Sequence, residues 1–148
     1  MAGKADFTED EWDALQKGVT GSGMLVSVAH RDFTDSFGEA KAIAKDLANN
    51  RENVSQLIRE LAETHGTGFG LVASPTEVNE GTMAALATAV ATLTAKAPDE
   101  LEAYRAFVLD LARSVAAAAS GGDEAEAGTI AKIEGALGAE SGQGGQSA

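Results

Sequence analysis

Cysteine is absent from this 148-residue chain, which excludes disulfides, thiolate metal sites and thiol catalysis together. Histidine is nearly absent, since His30 and His65 are the two in the sequence. Aromatic residues are 5%, with one Trp and one Tyr, against 30 alanines. Alanine is the best helix former, whereas strands favour β-branched and aromatic residues. Cationic side chains are few: 11 Lys+Arg stand against 23 Asp+Glu, a net charge of −12. An acidic surface repels nucleic-acid phosphates and anionic lipid headgroups alike, so neither nucleic acid nor membrane is an expected partner. Long apolar runs are missing too. The longest uncharged helical stretch, Gly81–Ala95, is too short to cross a bilayer and is diluted with Thr. Residues 1–13 carry Asp6, Glu9, Asp10, Glu11 and Asp13 where a secretory leader would be basic and then apolar. The expectation is a cytoplasmic protein.

What remains describes an all-α chain of one domain. Apolar residues are 44%, enough for a core at this length. No segment alternates with period two, and helix signals recur. Thr8-Glu9-Asp10-Glu11 fits a capping box, with Trp12, Leu15 and Val19 following at helical spacing and Phe7 placed to staple the entry. Gly18, Gly21 and Gly23 read as interruptions, and Met24–His30 as a second stretch that continues the first through a kink. A helix over about 36–48 carries Phe37, Ile43 and Leu47 on one face. Asn53 with Gln56 reads as the cap of the next, which carries Leu57, Ile58 and Leu61, with Gly66 as its terminating residue.

Ser74-Pro75-Thr76-Glu77 opens a helix with a Ser cap, Pro at N1 and Glu at N3. Met83, Leu86, Val90 and Leu93 then recur at spacings of three and four. Pro98 breaks the chain, and Leu101, Tyr104, Val108, Leu111 and Val115 form a second stripe. The short link predicts that these two helices, 74–96 and 99–119, are antiparallel neighbours forming the centre. Asp123 caps a last short helix. The expected architecture is a compact bundle of six or seven helices: a flexible acidic segment over 1–7, a helical domain over 8–138, and a disordered tail over 139–148. The candidate core is Trp12, Leu15, Leu25, Phe37, Ile43, Leu47, Leu57, Leu61, Leu86, Val90, Leu93, Tyr104, Val108, Leu111, Val115, Ile130 and Ile133.

Chemistry has little material to work with. No Ser lies in a G-x-S-x-G elbow, and no Glu-x-x-His motif supports a di-iron bundle. Gly66-Thr67-Gly68-Phe69-Gly70 lacks the Lys and the strand that a phosphate loop needs, so it reads as a connection between helices. One mixed cluster stands out: His30, Asp32, Asp35 and Glu39 fall within ten residues. Asp35 and Glu39, at i and i+4, would share a face if both are helical. An oxygen set suits Ca²⁺, Mg²⁺ or Mn²⁺, and an added imidazole would tilt it toward a transition metal. The simpler reading of these acids is a helix N-terminus, where carboxylates favour the free amides. A second acidic turn at Asp123, Glu124 and Glu126 is explained by capping alone.

The chain also resembles itself. Glu39-Ala-Lys-Ala-Ile-Ala-Lys45 and Glu126-Ala-Gly-Thr-Ile-Ala-Lys132 agree at five of seven positions. In each copy an apolar helix runs into a polar turn, and a Glu opens the next helix. This pattern resembles the TerB-like family, named for tellurite resistance, which is all-helical and pseudo-repeated and carries Ala-Asp-Gly before a helix bearing a Glu. Neither turn here has Asp-Gly, and Ser120 stands where the second Asp would be. The resemblance implies a non-enzymatic accessory or stress-response protein. Its ligand would be a divalent cation held weakly by Asp32, Asp35 and Glu39, with no organic cofactor. The competing reading is a helical scaffold or adaptor that binds a protein partner through an apolar helix face, its acidic surface steering it toward basic partners. Ala84, Ala85, Ala87, Ala89 and Ala91 allow close helix approach and with it homodimer packing.

Overall fold

The computed structural model describes residues 3–29, 44–53, 55–63, 75–118 and 124–138. Among these residues every regular element is helical. Helix α1 is Glu9–Ala29, residues 44–49 are helical, and α2 is Gln56–Ala62. Then follow α3 (Pro75–Lys96), α4 (Leu101–Ala118) and α5 (Glu124–Leu137). Short 3-10 turns stand at Lys4–Asp6, Asn50–Glu52 and Pro98–Glu100.

The capping box forms as the residues require: Glu11 N–H donates to the Thr8 hydroxyl at 3.1 Å, and Thr8 N–H donates to the Glu11 carboxylate at 2.8 Å. From there α1 runs unbroken for 21 residues through all three glycines. The expected interruption does not occur, because residues 18–23 (Gly-Val-Thr-Gly-Ser-Gly) are buried on every side of the helix. Small residues let neighbours approach from all directions. The two hydroxyls in this stretch turn back on their own helix: Ser22 donates to the Gly18 carbonyl at 2.6 Å and Thr20 to the Gln16 carbonyl at 3.0 Å, so burial leaves neither unpaired.

The centre is therefore α1, and not the pair of helices that flank Pro98. α1 packs most extensively on α3, then on α4, and also touches α5, whereas α3 and α4 meet little. A short link brings helix ends together, but α3 and α4 each make most of their helix–helix contact with α1. Tyr104 fixes the α1–α4 contact: it is fully buried, and its hydroxyl donates to the Leu15 carbonyl at 2.8 Å. A Cβ on Gly18 would lie 2.2 Å from that hydroxyl, so the glycine is what admits the tyrosine. Burial pushes the Tyr104 hydroxyl far above the usual phenol range, and it stays a neutral donor.

Most of the candidate core is confirmed. Trp12, Leu15, Leu25, Leu57, Leu61, Leu86, Leu93, Tyr104, Val108, Leu111, Val115 and Ile133 are buried. Leu47, Val90 and Ile130 lie half-buried at its edge, and Phe37 and Ile43 are outside the described residues. On α3 the buried residues are Val78, Thr82, Ala85, Leu86, Ala89, Thr92 and Leu93. The face is rotated from the expected one: alanine and threonine, not only large side chains, are buried on it. The α2 cap is Ser55, whose hydroxyl accepts Ile58 N–H at 3.3 Å, while Asn53 accepts Ser55 N–H at 2.9 Å in the turn before it. That helix ends at Ala62, before the expected Gly66, which falls outside the described residues.

The expected tail, 139–148, and most of the first copy of the repeat are also outside the described residues. Residues 3–7, read from sequence as a flexible lead-in, form the first 3-10 turn, and Phe7 joins the core beside Trp12 with ring centroids 6.1 Å apart.

Candidate protein interface

The three residues singled out as cation ligands, Asp32, Asp35 and Glu39, lie outside the described residues, as does His30. Among the described residues no three His, Asp or Glu side chains gather closely enough to hold a metal ion.

What the helices do create is a groove between α1 and α3 with a volume of about 320 Å³. Its floor is small and apolar, built from Ala14 on α1 and Gly81, Ala84 and Ala85 on α3. Its α1 rim carries Asp10, Asp13 and Lys17. Lys17 is held by Asp13 at 3.2 Å, one helical turn back, which neutralises one of the two acids and leaves the rim with net negative charge. The groove is lined where small residues of the two helices, Ala14 on one and Gly81, Ala84 and Ala85 on the other, stand together. Large side chains there would have filled it.

Beyond the groove, α3 turns an uncharged face to solvent. Ala84, Ala87, Thr88, Ala91, Thr94 and Ala95 are all exposed. A solvent-facing helix normally carries charge on that side, and this chain is 23% charged. Of the five alanines expected to permit close approach, Ala85 and Ala89 are used inside the bundle, and Ala84, Ala87 and Ala91 remain available outside it.

A second concavity, about 460 Å³, opens at the Pro98 corner between Asp6, Phe7 and the segment Lys96–Glu100. Its single cation is engaged: Lys96 Nζ donates to the Glu11 carboxylate at 2.5 Å and stands 6.0 Å from the Phe7 ring. The bond from Lys96, reinforced by Thr8 N–H, holds the Glu11 carboxyl below the usual carboxylate range. Glu100 accepts the Ser55 hydroxyl at 2.6 Å, tying the corner to α2.

The groove was not legible from spacing, since it is lined by residues of two helices far apart in the chain. The one signal for it was the uncharged run Gly81–Ala95. No family model matches the chain, and no curated protein or solved structure does either. No described helix is long and apolar enough to cross a membrane.

Proposed function

We propose that the protein is a non-enzymatic helical adaptor that docks a basic amphipathic helix of a partner protein in the α1–α3 groove. The observation that carries this reading is the pairing of a small-residue floor (Ala14, Gly81, Ala84, Ala85) with the acidic rim at Asp10 and Asp13, continued by the uncharged exposed face of α3. Small floor residues allow a helix backbone to approach closely. A partner's Lys or Arg side chains would reach the rim carboxylates while their aliphatic stems cover the alanines. The net charge of −12 would speed encounter with such a partner and lend the complex a salt dependence. An accessory protein that binds and does not catalyse is also what the TerB-like resemblance implies.

The test is titration of the labelled protein with a synthetic helical peptide of alternating Ala and Lys faces, followed by amide chemical shifts. The expected result is a localised set of shifts at Asp10, Asp13 and Gly81–Thr88 that weakens with salt and vanishes in Ala84→Glu. Shifts scattered over every acidic surface, or none at all, would overturn the proposal.

The second reading is weak divalent-cation binding at Asp32, Asp35 and Glu39, supported by their spacing in the sequence and by the same family resemblance. Clustered carboxylates repel one another, and a bound cation relieves the repulsion and stabilises the native state by mass action. At a tenfold excess over Kd the gain is about 1.4 kcal/mol. Ca²⁺, Mn²⁺ or Zn²⁺ should raise Tm, and Asp35→Asn with Glu39→Gln should abolish the rise. A melting curve indifferent to all three metals would remove this reading.

A further inference from the structure

Helix α5 stands on a narrower footing than the helices it touches. It rests against α1, α3 and α4, yet of its side chains from Ala127 onward Ile133 and Leu137 are the ones buried, with Ile130 and Ala136 at the edge. Ala127, Gly128, Ala131, Lys132 and Gly135 are exposed. α4, by contrast, buries Tyr104, Phe107, Val108, Leu109, Leu111 and Val115. Gly128 and Gly135 lower the helical propensity of α5 further. So few buried side chains offset only part of the entropy lost in ordering 14 residues.

The C-terminal end of α5 is held by a charged side chain from α4. Arg105 Nε donates to the Leu137 carbonyl at 2.7 Å. Leu137 is the last residue of α5, and Gly138 after it turns the chain at φ 68°. The final carbonyls of a helix have no partner in their own ladder and carry its negative pole, so a guanidinium suits them. Glu102, one turn back on α4, accepts Arg105 Nη1 and sets the side chain for this bond, and that side chain is 19% exposed. A Cβ on Gly138 would lie 3.2 Å from Arg105 Nη2, so the two fit closely. A second tie, from Arg113 to Glu134, is 3.5 Å long between side chains that are 57% and 33% exposed, and such a pair holds little.

We infer that α5 is a latched helix: it opens as a unit from its seat on α1, α3 and α4 while those three stay folded, and Arg105 is the positioning residue that keeps it shut. A helix with few buried side chains opens at lower free energy than the core it covers. The rest of the bundle holds without it, because α1 meets α3 and α4 directly and the Tyr104 bond to the Leu15 carbonyl closes that assembly. Opening uncovers the apolar seat of Ile133 and Leu137, two aliphatic side chains one helical turn apart on the same face.

The test is amide hydrogen exchange, read residue by residue by NMR on the full-length chain at neutral pH, in urea concentrations below the unfolding transition. The amides of residues 133–137 should exchange through an opening that is less stable and less urea-dependent than that of the buried amides of α1, α3 and α4. Arg105→Gln should speed exchange in α5 about tenfold and leave the other three helices unchanged. Gly138→Ala keeps Arg105 but sets a methyl against it at a left-handed φ. It should speed the same amides about fivefold, and it carries the test alone if Arg105→Gln does not fold. One opening free energy and one urea slope shared by all four helices would overturn the inference. So would a variant effect spread over all four helices, or found in none.

Discussion

The middle of α1 and the middle of α4 are both deep in the core, yet they arrive there by opposite means. α4 buries one broad stripe, Tyr104, Phe107, Val108, Leu111 and Val115, and leaves Glu102, Ala106, Asp110 and Arg113 exposed. It is an amphipathic helix in the ordinary sense, driven by removal of large apolar side chains from water. α1 at residues 18–23 has almost no large side chains and is buried all round. Its contribution is proximity, because glycine and serine let α3 and α4 close upon it. A bundle of this size needs both kinds of helix, one supplying apolar area and the other a slender axis on which that area can pack.

Substitutions at the two sites should break this contrast in opposite ways. The largest effect is expected at Leu111, fully buried on the α4 stripe. Leu111→Ala removes area and leaves a cavity, which should destabilise by about 2–5 kcal/mol in urea unfolding. A loss below about 1 kcal/mol would mean that the stripe is not the core. Next comes Gly18→Ala, which adds a methyl 2.2 Å from the Tyr104 hydroxyl and 3.1 Å from Leu86 Cδ2. Overpacking there should destabilise by about 1–3 kcal/mol, even though alanine is the better helix former. The next Tyr104 atom is 3.5 Å away, ordinary contact. Tyr104→Phe should therefore relieve most of the strain, and the double variant should be clearly more stable than the two single losses predict. Strict additivity would show that Gly18 is not the tyrosine's seat.

The contrast also separates what the sequence reveals from what it conceals. α4 and the N-terminus of α3 are legible because spacing, a Pro at N1 and large apolar residues act locally. The role of α1 is concealed because Gly18, Gly21 and Gly23 carry the same letters whether they interrupt a helix or let another one in. Only the position of Tyr104, far along the chain, decides between these. The rotated face of α3 has the same origin: Ala85 and Ala89 are buried by proximity, which hydrophobic spacing undervalues. The candidate groove was legible only as a missing property, the lack of charge over Gly81–Ala95. Its acidic rim comes from α1, some seventy residues earlier, and no local pattern joins the two. The N-terminal entry to α1 was half-legible. Phe7 and the Thr8–Glu11 box announced a packed entry to α1, but Glu60, reached only through the tertiary fold, is the residue that fastens Lys4.

Polar burial sharpens the comparison at smaller scale. Thr20 and Ser22 on α1 have their hydroxyls bonded to carbonyls of their own helix, whereas Thr82 on α3 is fully buried with its hydroxyl unpaired. Thr82→Val replaces that hydroxyl by a methyl of similar shape, relieving a desolvated donor. It should stabilise by about 1 kcal/mol, visible as a higher urea midpoint with unchanged slope. Ser22→Ala should bring no such gain, since its hydroxyl is already satisfied. Equal gains from both would mean that pairing inside α1 contributes nothing.

The smallest effect is the most direct test of what glycine does in each helix. Gly128 lies in the interior of α5 and is exposed, and a Cβ there would meet nothing within 4 Å. Gly128→Ala changes only backbone freedom and helix propensity, so it should stabilise by about 0.5–1 kcal/mol. The same substitution at Gly18 should destabilise. Both are glycine-to-alanine changes inside α-helices, so propensity alone predicts the same sign for the two. Opposite signs in parallel urea titrations would place the difference in packing, where the slender axis of α1 locates it. If both variants gained stability, the Tyr104 hydroxyl would have room beside a methyl, and α1 would lose its distinction from the other helices.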